Sequence, residues 1–205
     1  MKVERDDGTA RIEAFSDGVF AFAITLLVLG IRVPGQTAVE QRGLAYTLAT
    51  LWPSYLAFIT SFVSILVIWV KHHWMFTLIE RTDHAFLYWN GLLLLFVTFL
   101  PFPTALLAEY LLHPDGRIAA SLYTGTALAV SVAFKALWWH AKKDERLLAV
   151  GATNLEARQI TRQNRYGPPL YLAAFGVSFW SESVSIAACL FLALLFAFRD
   201  WFAKD

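Results

Sequence analysis

Six long, mostly apolar runs constrain this chain more than any other feature: residues 14–31, 43–70, 85–108, 118–134, 166–181 and 183–198, set apart by charged segments. A membrane-crossing helix needs about 20 mostly apolar residues and can manage with about 17. The chain is 58% hydrophobic and only 16% charged, whereas a soluble domain carries about 25% charge. Six spans are expected, at about 12–31, 46–70, 85–111, 118–140, 166–181 and 183–199, making residues 1–205 one all-α membrane domain. In the fourth, Lys135 can snorkel and Trp138-Trp139 suit an interfacial aromatic belt. The last two runs are parted by Ser181-Glu182-Ser183, which reads as a tight helical hairpin. One merged helix there would strand Glu182 at its middle.

The amino terminus, MKVERDDGTARIEA, mixes charge signs and lacks a small-residue cleavage site, so the first span reads as a retained helix. Lys and Arg then set the orientation. With the amino terminus inside, thirteen of them fall on inner segments: Lys2, Arg5, Arg11, Lys71, Arg81, Lys142, Lys143, Arg146, Arg158, Arg162, Arg165, Arg199 and Lys204. Only Arg32, Arg42 and Arg117 fall outside. This positive-inside bias puts both termini in the cytoplasm of a cell-membrane protein. The charged, helix-prone stretch 141–165 reads as cytoplasmic extension of helices. A net charge of +1 gives no argument for nucleic acid. Cys189 is the single cysteine, so disulfides and thiolate metal sites are excluded.

The first run, RIEAFSDGVFAFAITLLVL, carries an aspartate inside its apolar length. Burying that charge in hydrocarbon costs about 2.5–3.5 kcal/mol on the mildest scale, which makes Asp17 a functional-site candidate by default. At 100° per residue, Phe22, Leu26 and Leu29 fall within about 60° of one another, Thr25 flanks them, and Asp17 lies about 140° from Phe22. One face therefore holds the acid and another a ladder of bulky hydrophobes. The ladder is either ordinary lipid-facing or core surface, or a pore lining whose hydrophobic rings gate by dewetting.

Asp17 needs partners. Arg11, Lys71, His72, His73, Asp83, His84 and Asn90 gather at the same membrane edge, and a network of Arg11, Ser16, Asp17, one histidine and Asn90 is geometrically feasible. Adjacent His72 and His73 point about 100° apart on a helix, and no further metal-ligand spacing accompanies them. Glu109 and Lys135 sit at span ends. Pro101 and Pro103 predict a kink in the third span. No nucleotide loop, Ser-His-Asp order or zincin motif is present.

Arg11-xxx-Phe15-Ser16-Asp17 followed by GVFAFAITLLVL resembles the signature of the transmembrane-protein-175 family of potassium channels. HHWMF at 72–76, Asn90 and PFPTALLAEY at 101–110 are similar to further motifs of that family. The likeness is closest over the first three spans and rests on topology over the last three. The single six-span repeat resembles the prokaryotic branch. The resemblance implies a homotetramer whose first helices line a central pore, with no pore loop or TVGYG-type filter and no cofactor beyond permeant potassium. It implies a constriction at Phe22, further hydrophobic rings at Leu26 and Leu29, and a potassium-preference threonine at Thr25. Arg11, Phe15, Ser16 and Asp17, with His72, His73 and Asn90, would brace helices without binding ions. Family members commonly carry Ile or Leu at the constriction, so four phenylalanines would close a narrower, stiffer ring. The implied activity is passive, potassium-preferring cation conduction. A secondary cation or proton transporter is the alternative, though it would want inverted repeats and a midplane ionisable group. An enzyme would want convergent catalytic groups.

Overall fold

The computed structural model describes residues 7–143, 147–149 and 154–202, and the fold is helical throughout apart from one antiparallel bridge, Ile79 to Leu148, among the described residues. Lys2, Arg5, Arg146 and Lys204 from the charge count lie outside the described residues, as does the side chain of Arg199. The first helix, α1 (Asp7–Leu26), tightens into a 3₁₀ turn, η1 (Leu27–Gly30). Two short helices follow, α2 (Gln36–Arg42) and α3 (Leu44–Thr50), and then α4 (Trp52–Thr77), α5 (His84–Phe99), α6 (Pro101–Tyr110), α7 (Gly116–Lys142), α8 (Asn154–Ser178) and α9 (Glu182–Phe202).

Four segments are long and apolar enough to cross a membrane: Gly8–Gly30, Trp52–Thr77, His84–Tyr110 and Gly116–Lys142. Glu182–Phe198 is a shorter apolar helix. The run 43–70 is two helices and not one. Leu51 breaks it at φ −80°, ψ 10°, and Pro53 occupies the first turn of α4, where its missing N–H costs nothing. Neither α2 nor α3 buries a residue, so the second long helix begins at Trp52 and not near residue 46.

Pro101 and Pro103 divide the third long segment at Leu100, where the Leu100 N–H reaches Val97 O (3.2 Å) in place of a full α-turn. The Thr104 hydroxyl donates to Leu100 O at 2.8 Å and steadies the bend. The stretch expected as a fifth span at 166–181 is part of the longer helix α8. It starts at Asn154 and passes through Pro168 and Pro169 to Ser178. Its first twelve residues add about 18 Å and carry exposed Arg158, Arg162 and Arg165. A three-residue turn then leads to α9, where Ser181 Oγ accepts from Val184 N at 3.3 Å.

Side-chain bonds sort the helix ends into two groups. At one end Thr9 Oγ1 donates to Glu80 O (3.1 Å), His140 Nε2 lies 2.9 Å from Asp83 Oδ1, and Trp138 Nε1 donates to Thr161 Oγ1 (3.0 Å). The Leu148 bridge belongs to this end, with Glu80 N bonded to Leu147 O and Ala149 N to Leu78 O. At the other end Arg32 meets Glu109, Arg117 meets Glu182, and Ser121 meets Ser178. The long segments therefore alternate in direction. The main core joins Phe20, Ile65, Phe86, Leu93, Val97 and Leu137, all nearly fully buried, and ties α1, α4, α5 and α7 together. A second core around Leu107, Ala120, Tyr123, Ile186 and Cys189 holds α6, α7 and α9.

Candidate functional site

The first helix has two unlike faces. Ser16, Phe20, Ala23 and Leu27, spaced four, three and four apart, are at most 2% exposed and form its packed side. Arg11, Phe15, Gly18, Phe22, Thr25 and Leu29 recur at the same intervals on the open side. Phe15, Phe22 and Leu29 are 66%, 62% and 73% exposed. Within this stripe, bulky apolar residues at 15, 22 and 29 alternate with Arg11, Gly18 and Thr25. Each series has a seven-residue repeat, a rise of about 10.5 Å. Ala14 and Ala21 flank the stripe and are also exposed. Leu26 is half-exposed at its edge.

On the packed side lies a chain of buried polar groups. Ser16 Oγ donates to Ile12 O (2.8 Å) within its own helix, so its oxygen accepts from Asn90 Nδ2 (2.9 Å). Asn90 Oδ1 then accepts from His72 Nε2 at 2.9 Å. This order fixes the His72 proton on Nε2 and leaves Nδ1 a buried acceptor without a hydrogen-bond partner among the described residues. The His72 ring stacks on Phe76 at 4.4 Å and lies 5.2 Å from Phe20. Ser16, His72 and Asn90 are each at most 3% exposed.

Asp17 and Glu13 sit outside that chain. Trp69 Nε1 donates to Asp17 Oδ1 at 2.9 Å, and His73 Nδ1 meets Glu13 Oε1 at 3.0 Å. Glu13 and Asp17 are four residues apart on α1, and Trp69 and His73 are four apart on the antiparallel α4, so the pairs meet as two rungs. The indole and imidazole stack at 6.1 Å and fix their spacing. The structure thus brings together Ser16, Asp17, His72, His73 and Asn90. Arg11 is exposed and makes no ion pair among the described residues, and Phe15 points away from the network. Sequence reasoning missed Trp69 and Glu13. The signal was there: two carboxylates at i, i+4 require donors at matching spacing on a neighbouring helix, and a buried indole N–H seeks an acceptor.

Thr25 Oγ1 donates to Phe22 O at 2.8 Å. That bond engages the hydroxyl proton and leaves the oxygen lone pairs on the open stripe, where they can face a cation. Past the C-terminal end of α1, η1 lies against α6, and a Cβ added at Gly30 would stand in ordinary contact with Ala105 at 3.6 Å. Among the described residues no group of three or more His, Cys, Asp or Glu side chains is placed to hold a metal ion.

Long apolar helices of alternating direction, braced by a buried polar network, define a multi-pass α-helical membrane protein. The sequence profile of the family described as "Endosomal/lysosomal potassium channel TMEM175" matches residues 11–101. A protein of Chamaesiphon minutus named "Potassium channel Cha6605_3372" is 61% identical over 94% of this chain and 95% of its own length. A Streptomyces collinus protein named "Potassium channel B446_29190" is 40% identical over 94% and 93%. The crystal structure of a lysosomal potassium-selective channel TMEM175 homolog from Chamaesiphon minutus superposes with a TM-score of 0.87 at 58% identity, covering 95% of this chain and 98% of that one. The chain belongs to the TMEM175 family, which comprises ion channels and not enzymes.

Proposed function

We propose that this chain is a six-span subunit of a homotetrameric, potassium-preferring cation channel in the cell membrane, with both termini cytoplasmic and residues 1–205 acting as one membrane domain. The four membrane-length segments supply the first four spans, and the apolar parts of α8 and α9 form the last two. The first helices line the central pore. Phe22 and Leu29 form its hydrophobic rings with Leu26 at their edge, and Thr25 supplies hydroxyl oxygens between them. Ser16, Asp17, His72, His73 and Asn90 hold each pore helix to its own subunit.

The observation that carries this reading is the bare, seven-residue-periodic stripe on α1, opposite a face sealed by hydrogen bonds. A helix anchored so firmly on one side is oriented, not free to roll, and the other side is presented to something. Four such stripes around an axis make rings that alternate between apolar constriction and wider, more polar layers. The names carried by the 61% and 40% identical relatives agree with potassium as the permeant ion. Selectivity here comes from partial dehydration in a narrow apolar passage, assisted by the Thr25 oxygens, and not from a carbonyl cage. Conduction is passive. Reconstituted protein under opposed potassium and sodium gradients should give currents reversing on the potassium side of zero. A slow, saturating flux without a reversal potential would instead identify a transporter.

A further inference from the structure

The chain that leaves the exposed stripe of α1 meets a charge. After the 3₁₀ turn Ile31 is extended (φ −90°, ψ 104°), and Arg32 follows it at the end of the helix. The Arg32 guanidinium does not stand alone, because Nη1 lies 3.3 Å from both Glu109 carboxylate oxygens on α6. Gly30 packs beside Ala105, and Glu109 follows Ala105 by one helical turn, which brings it next to Arg32. Both side chains are substantially exposed, at 76% and 47%. A pair so open to water contributes little to folding, so stability is a weak reason for it. The other ion pairs at this end, Arg117 with Glu182 and His113 with Asp115, sit on the α6–α7 and α8–α9 turns.

An arginine stays charged at any working pH. Four of them at the end of a cation pore would set up a positive potential where potassium must enter, and fields at such mouths change local ion concentration by tenfold or more. We infer that Glu109 is a conductance-determining residue: its carboxylate cancels the Arg32 charge at the outer mouth and keeps that mouth open to cations. The inference rests on the pore reading proposed above.

The test uses excised patches of known sidedness carrying the full-length protein, with potassium chloride at 0.01 M and at 1 M, where the screening lengths are about 30 Å and about 3 Å. Glu109→Gln leaves four uncompensated guanidinium groups. It should cut potassium current entering from the outer side by about threefold or more at 0.01 M, with outward current less affected and the difference vanishing at 1 M. Arg32→Gln should raise the same inward current. The double variant removes charges that sum to zero and should return to the wild-type level, which a merely structural pair would not do. Similar losses in both single variants, or an effect of Glu109→Gln that persists at 1 M, overturn the inference. If Glu109→Gln yields no protein, Arg32→Gln decides alone: a raised inward current at 0.01 M supports the inference, and an unchanged or lowered one overturns it. Phe22→Ala separates the two levels of argument. If it alters potassium current while the mouth variants do not, the mouth inference fails and the pore reading stands. If none of them changes the current, the pore reading itself fails.

Discussion

Phe22 and Ile24 are two residues apart on α1 and sit in different worlds. Phe22 is 62% exposed, whereas Ile24 is partly buried against the main core. Phe22→Ala should therefore cost the subunit little stability and, on the proposed pore reading, widen the Phe22 ring. Potassium flux should rise and discrimination against sodium should fall. Leu26→Ala, at the edge of the stripe, should act in the same direction but more weakly. Ile24→Ala should do the reverse of Phe22→Ala, losing stability and leaving permeation unchanged. Thr25→Val keeps shape but removes the oxygen, so selectivity should fall with no change in assembly. Reversal potentials in mixed potassium and sodium gradients check all four, and a larger selectivity change in Ile24→Ala than in Phe22→Ala would mean that another face lines the pore. Asp17 belongs to the bracing side. Asp17→Ala leaves the Trp69 N–H unpaired in a low-dielectric site, at about 1–3 kcal/mol, whereas Asp17→Asn keeps an acceptor oxygen and should be milder. Thermal melting in detergent measures the ordering of the two. An Asp17→Ala protein that melts normally and changes only ion preference would show that the carboxylate acts in permeation.

Between elements, the controlling contacts are few and directional. Asn90 on α5 bridges Ser16 on α1 and His72 on α4, so Asn90→Leu orphans groups on two helices at once. It should lower the melting temperature more than Thr25→Val, which orphans no donor on another helix. At the α6–α7 turn, a Cβ on Gly116 would lie 2.8 Å from Tyr110 O and 3.0 Å from Leu111 O. Backbone atoms cannot step aside, so Gly116→Ala should destabilise. Gly176 has open space around its Cα, and Gly176→Ala should be neutral or stabilising by up to about 1 kcal/mol, through helix propensity alone. A melting temperature lowered equally by both would refute the close-approach argument. These contacts mark the limits of what periodicity can reveal. Positioning of Asp17 away from Phe22 follows from 100° per residue, and Pro101 with Pro103 announced the bend at Leu100. The break at Leu51 did not register because residues 43–70 carry no charge, and a reading by gaps between charges does not distinguish one helix from two. Trp69 went unread because, although Glu13 and Asp17 called for donors at matching spacing, which helix supplies them is set by the register of α4 against α1. The bridge between Ile79 and Leu148 joins a loop to a segment about seventy residues away, beyond any local pattern.

For the whole molecule, the question is what covers α1. Only 28% of its membrane-length window is buried within the subunit, against 44% for α7, yet Glu13, Ser16 and Asp17 tie its packed side to α4 and α5 by side-chain bonds. Helices in a bilayer gain no hydrophobic drive toward one another and associate through close packing, which small residues permit. Ala14, Gly18, Ala21 and Thr25 provide such positions along the exposed side, interleaved with Phe15, Phe22 and Leu29. One subunit cannot enclose a passage with a single stripe, whereas a closed ring of copies satisfies all stripes equally. Native mass measurement in mild detergent should therefore give a tetramer, and a monomer as the sole species would sink the proposal. Gly18 provides the sharper form of this test. Nothing lies within 4 Å of a Cβ added there, so Gly18→Leu should leave the isolated subunit's fold and melting intact. In the assembly, four added side chains would fill the wide layer between the Phe15 and Phe22 rings. Potassium flux should then collapse, or the tetramer fraction should fall, with subunit helicity unchanged by circular dichroism. Wild-type flux from a tetrameric Gly18→Leu protein would place the pore on some other surface of the chain.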